Sequence, residues 1–108
     1  MVLADLDPTL GHEQRGLRPC VVVTDPDVSA HQRFELLAIV PLTSRPQTGV
    51  LYPVIEPDEP AGVRLRSYVL VDQLRSIDKR RIRSVAQRPL ERNVLYELDR
   101  ALRMLLNL

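Results

Sequence analysis

The sequence predicts a mainly β chain, a small barrel with one α-helix packed against it. Three observations lead there. Short apolar, β-branched segments recur as far as Ala86, and most of the nine prolines fall between them. Beyond Pro89 the pattern changes: Leu90, Val94, Leu98, Ala101, Leu102 and Leu105 fall on one face at helical spacing. No repeat, linker or low-complexity tract divides the 108 residues, so a single domain spanning 1–108 is expected.

Val2 to Leu6 reads as a first strand, with Asp7-Pro8 as its turn signal. A polar loop with two glycines, Thr9 to Arg18, leads into Pro19–Thr24, whose valines mark a central strand. Asp25-Pro26-Asp27 breaks that strand, and one helical turn is expected between Val28 and Arg33. Phe34–Leu42 is a long apolar strand closed by Thr43-Ser44-Arg45-Pro46, and Gln47–Gly49 is a turn. Val50–Ile55 alternates as a strand, and Glu56–Gly62 is loop. Tyr68–Val71 is a strand ending in Asp72-Gln73, and Ser76–Arg80 reads as a turn or short helix with Ser76 as its cap. Ile82–Ala86 supplies a last strand, and Pro89 is placed at the first position of the C-terminal helix.

Charge and cysteine content narrow the function classes. Net charge is +1, so overall charge does not announce nucleic acid, but seven basic residues crowd between Arg75 and Arg92. That run serves either a solvated face or a polyanion site. The one cysteine, Cys20, lies in an apolar run and reads as a buried small hydrophobe. No apolar stretch approaches the ~20 residues of a membrane span. The first residues lack the basic start and apolar centre of a signal peptide, so a cytoplasmic protein is expected. The apolar content of so small a barrel points to a subunit interface.

His12 and His31 have no partners at metal-ligand spacing, and neither a nucleotide-type glycine loop nor a nucleophile elbow is present. No cofactor is expected. The polar candidates sit at strand ends: His12, Glu13 and Arg18 around the first loop, Thr43 and Ser44 after the long strand, Asp72 and Gln73 after Tyr68–Val71. In a small barrel such ends can meet on one rim. Together they offer carboxylates and an imidazole to move protons, a hydroxyl donor, and a guanidinium fork that matches phosphate. That set suits cleavage of a phosphodiester by a neighbouring 2′-hydroxyl. Each residue also has a plainer role open to it: an ion pair for Arg18, a turn for Thr43-Ser44, a strand closure for Asp72-Gln73.

Three blocks carry a resemblance. Leu6-Asp7-Pro8-Thr9 followed by Gly11-His12-Glu13-Gln14-x-Gly16-x-Arg18-Pro19, then Pro41-Leu42-Thr43-Ser44, then Asp72-Gln73-Leu74-Arg75-Ser76-Ile77-Asp78, closely resemble the MazF/PemK/Kid family of toxin endoribonucleases in order and spacing. The resemblance implies an SH3-like barrel of the MazF/PemK/CcdB type and a homodimer. It implies metal-free, sequence-specific cutting of single-stranded mRNA, leaving 2′,3′-cyclic phosphate and 5′-hydroxyl ends, and a toxin–antitoxin role that inhibits translation and growth. By position, Arg18 and Thr43 match the family's catalytic pair, Glu13 a loop residue implicated in some members, and Asp72 and His12 the aspartate and histidine of the Kid-like branch. Gln14, Arg15, Ser44, Arg45, Gln73 and Arg75 flank them and are the expected RNA contacts. With aromatics at only 4%, hydrogen bonding and backbone charge are expected to outweigh stacking. A cognate acidic, MazE-like antitoxin would cover the RNA groove.

The chain departs from the family twice. Members carry several further residues of the type Arg-Gly-Asp-Ile/Val ahead of the strand that starts here at Val2, and Leu70 stands where the Kid-like branch has an arginine. Proton donation then falls to Arg18 or His12, and Glu13, Asp72 and His12 stay open as the base. Two rival readings share the fold: a CcdB-like gyrase poison, which does not need the Arg18/Thr43 pair, and an inactive member that only binds RNA or antitoxin.

Overall fold

The computed structural model describes residues 1–6, 16–25, 27, 30 and 35–108. The expected helical turn of 28–33 falls outside them except at position 30. Among the described residues seven strands make one antiparallel sheet: β1 (Val2–Asp5), β2 (Leu17–Val22), β3 (Leu36–Thr43), β4 (Val54–Ile55), β5 (Ser67–Val69), β6 (Arg75–Asp78) and β7 (Ile82–Val85). One long helix, α1 (Arg92–Leu106), follows. The mainly β architecture with a C-terminal helix is therefore as expected. Strands run in the order β4-β5-β3-β2-β1-β7, with β6 also on β3, so the sheet is barrel-like but its path is not closed.

β3 is the central strand. Its first half pairs with β6, from Leu36 opposite Asp78 to Ile39 opposite Arg75, and its far end pairs with β5, Leu42 opposite Val69 and Thr43 opposite Tyr68. Successive residues of β2 and β3 feed two cores. Val21, Val40 and Leu42 join the cluster that receives Leu98 and Ala101 of α1, while Cys20, Leu37 and Ile39 join Ala4, Leu6 and Ile77. Burial on both faces explains why these strands read as apolar runs and not as alternation.

Several boundaries differ from the sequence expectation. Ser76–Arg80 is neither a turn nor a helix capped by Ser76. Arg75–Asp78 is strand β6, and Asp78 caps the following 3-10 turn, Lys79–Arg81, by accepting the Arg80 N–H at 2.8 Å. Only Ile77 of β6 is fully buried, which leaves too little pattern to recognise. Tyr68–Val71 is cut short because the chain leaves β5 at Val69 and enters a 3-10 turn at Val71–Gln73. Of Val50–Ile55 only the last two residues are strand, since Tyr52 N–H closes a turn onto the Gly49 carbonyl. The helix begins at Arg92, not Pro89: Leu90 is buried ahead of it, and Arg88 N–H is bonded to the Pro60 carbonyl. Asn107 ends α1 in the left-handed conformation, bonding back to the Arg103 carbonyl.

Where the strand path stops, packing takes over. Gly62 follows the 3-10 turn Glu59–Ala61 at φ +94°, and a Cβ there would lie 3.2 Å from Met1 Cβ and 3.3 Å from Ala86 Cβ. A side chain would be strained both by the backbone and by that contact. Glycine lets this connection lie against the start of β1 and the end of β7, where Ala86 N–H bonds the Met1 carbonyl. Among the described residues no helix is long and apolar enough to cross a membrane.

Candidate active site

A groove of about 1190 Å³ opens where β1 and β7 face the Gly62–Leu65 connection, and it reaches the adjoining ends of β2 and β3. Arg18 at the start of β2 and Thr43, Ser44 and Arg45 at the end of β3 all line it. The strands explain the meeting. Cys20 lies opposite Pro41, Val21 opposite Val40 and Val22 opposite Ile39. Carried on two residues past the last rung, that register would set Arg18 opposite Thr43. Pro19 has no N–H for the intervening rungs, so the ladder itself stops earlier. Opposed residues share a face with Cβ atoms ~5 Å apart.

Each member of the pair is locally fixed. Thr43 Oγ1 accepts the Arg45 N–H at 3.2 Å, which leaves the hydroxyl proton to donate outward. The Arg18 carbonyl accepts the Cys20 thiol at 3.5 Å. Burial pushes that thiol up to about 12, against the pull of the Arg75 charge, so it stays protonated as a donor. Leu6 N–H bonds the Gly16 carbonyl at 2.8 Å, which brings together the two ends of the polar loop.

Not every expected site residue joins this groove. His12, Glu13, Gln14 and Arg15 lie outside the described residues. Asp72 is exposed on the Val71–Gln73 turn and does not line the groove. Its Oδ2 accepts the Tyr52 hydroxyl at 2.8 Å, and that bond raises the phenol pKa above its ordinary value. Gln73 completes the same turn. Arg75 is half-buried and donates to the Leu6 carbonyl at 3.3 Å.

The sequence reading missed what surrounds Thr43. Tyr68 lies opposite both Thr43 and Val54, so Thr43, Tyr68 and Val54 form one row across β3, β5 and β4 on a single sheet face. Arg66, two residues before Tyr68, holds its guanidinium 5.9 Å from the ring centroid and pairs with Glu56 at 3.2 Å. An Arg-x-Tyr spacing entering a strand was the available signal, but only the strand register shows that it adjoins Thr43.

Comparisons with known proteins agree with this architecture. Residues 1–106 match the family described as PemK-like, MazF-like toxin of type II toxin-antitoxin system. The chain is 35% identical over 107 residues to Endoribonuclease EndoA of Bacillus subtilis strain 168, covering 97% of this chain and 89% of that protein. It is similar to the crystal structure of MazF from Deinococcus radiodurans, with TM-score 0.80, 28% identity, and coverage of 99% of this chain and 92% of that one. A MazE–MazF crystal structure from the same organism superposes with TM-score 0.72 at 28% identity, covering 99% and 91%.

Proposed function

The chain belongs to the PemK-like, MazF-like toxin family of type II toxin–antitoxin systems, and we propose that it is a metal-independent, sequence-specific endoribonuclease that cuts single-stranded mRNA. The observation that carries the reading is that Arg18 and Thr43 line one groove, from the adjoining ends of β2 and β3. The identity to a protein named an endoribonuclease supports it.

In this mechanism a base takes the proton of the ribose 2′-hydroxyl, and that oxygen attacks the adjacent phosphorus. The 5′-oxygen leaves with a proton, giving a 2′,3′-cyclic phosphate and a 5′-hydroxyl. A guanidinium is a poor proton shuttle, so Arg18 instead balances the charge that builds on the non-bridging oxygens, where Thr43 donates a further bond. Proton transfer belongs to Glu13, His12 or Asp72. His12 has the intrinsic pKa nearest neutrality. Asp72 already accepts a bond from Tyr52, so its use as base requires that bond to persist or break in step.

The working unit is a cytoplasmic homodimer with the groove along its interface. Leu65 and Val85 support this: both line the groove, and they are 64% and 72% exposed in the single chain. A cognate acidic, MazE-like antitoxin covers the groove and restrains growth inhibition. The test is incubation of purified protein with single-stranded RNA in EDTA, followed by end analysis. Cleavage with cyclic-phosphate and 5′-hydroxyl ends is expected. Intact RNA with inhibited gyrase would replace the reading with a gyrase poison, and silence in both assays with an inactive binding protein.

A further inference from the structure

Tyr68 has no assigned work, yet it lies beside the proposed chemistry. Its strand partner is Thr43, and opposed residues project from one face of a sheet. The row continues to the exposed Val54 on β4. Two residues along, just beyond the ends of β5 and β4, Arg66 and Glu56 are bridged at 3.2 Å. Two residues before Val54, Tyr52 reaches Asp72. An exposed ion pair of this kind contributes little to stability. Its effect here is to hold a guanidinium near an aromatic ring, 5.9 Å from centroid to charge.

A half-buried ring beside an oriented guanidinium plane is the arrangement on which unstacked nucleobases settle. We propose that Tyr68, with Arg66 beside it, is the stacking platform for the base that flanks the scissile phosphate. Stacking there would seat one nucleotide a single strand spacing from the Thr43 hydroxyl, which helps align the 2′-oxygen with phosphorus. This rests on the nuclease reading and adds a binding role to a residue that no motif marked. It also qualifies the composition argument: few aromatics suffice when one adjoins the reacting group.

The protein has no tryptophan, so Tyr68→Trp installs a lone reporter while keeping an aromatic surface. The probe is an RNA carrying the mapped cut site, made uncleavable by a 2′-deoxy nucleotide on the 5′ side of the cut. Adding it should quench the indole fluorescence, and an abasic substitution at one flanking position should abolish the quench. On cleavable RNA, Tyr68→Leu should raise KM about tenfold, as expected for loss of one stacked base. Tyr68→Phe should keep the wild-type KM. The same abasic substitution should cost the wild type about tenfold and Tyr68→Leu nothing further. Should Tyr68→Leu misfold, Arg66→Met provides the second probe, with a smaller rise in KM. An unquenched reporter, or a Tyr68→Leu enzyme with wild-type KM and undiminished sensitivity to the abasic site, overturns the platform and leaves the nuclease reading standing. A wild type that cuts no RNA removes the nuclease reading first, and the platform with it.

Discussion

The arginines of this chain divide into two groups with opposite relations to sequence. The dense run from Arg75 to Arg92 looks like a polyanion site, yet most of it is occupied within the fold. Arg75 and Arg81 donate to the Leu6 and Asp5 carbonyls, each at 3.3 Å. Arg80 bonds Asp78, Arg83 bonds the Arg80 carbonyl, and Arg88 bonds Asp58. Arg18, Arg45 and Arg64, all outside that run, are the arginines among the described residues that line the groove. Local density of charge here serves mainly the fold itself, through backbone carbonyls and the Asp78 and Asp58 carboxylates. Position around the groove, and not density, sets Arg18, Arg45 and Arg64 apart.

Arg18→Ala gives the sharpest break of this contrast. It should lower kcat roughly 10²–10³-fold, the loss of one preorganised electrostatic donor. A wild-type rate would erase the distinction between the two groups. Thr43→Val keeps the shape and removes the hydroxyl, and single-turnover cleavage should slow about 10²-fold. For Arg45→Ala the expected effect is on binding: the salt dependence of RNA affinity should lose about one unit of slope, as for one phosphate contact.

Substitutions in the dense run should act on stability and leave cleavage alone. Arg81→Ala removes a donor from the Asp5 carbonyl and should cost about 1 kcal/mol by urea unfolding, with kcat/KM unchanged. A large loss of cleavage there would assign the run to substrate after all. The smallest effect belongs to Asp78. Hydrogen bonds from the Arg80 side chain and backbone draw its carboxyl down to about 2. A depressed acid stabilises the fold above its unfolded pKa of about 3.9, and that contribution fades as pH falls through the folded value. The advantage of wild type over Asp78→Asn in urea midpoint should therefore be present at pH 5 and vanish on approach to pH 2.

The sequence was informative wherever burial imposed a pattern. β3 shows as an apolar run because both its faces are covered, and α1 shows as a stripe because one face is. β6 did not show, since Ile77 alone carries it and the polar residues beside it resemble a turn. Helix onset was misplaced because proline tolerance at a first turn is a permission, while Leu90 answers to the core. For the site, the resemblance of the motif blocks named Arg18 and Thr43 as a pair, and both line the groove. Asp72 was expected on the same rim, but the turn at Val71 sets it beside Tyr52. Tyr68 showed only as one of a few available aromatics, because its adjacency to Thr43 across strands has no signature along one chain.

The bond between Leu6 N–H and the Gly16 carbonyl acts as a clasp on the two stems that flank positions 7–15. With the stems fixed by the sheet, closing a longer or shorter segment between them changes the entropy only slowly with length. Grafting that segment from a relative should therefore leave the melting behaviour of the frame unchanged. Such a division would let recognition diversify faster than architecture.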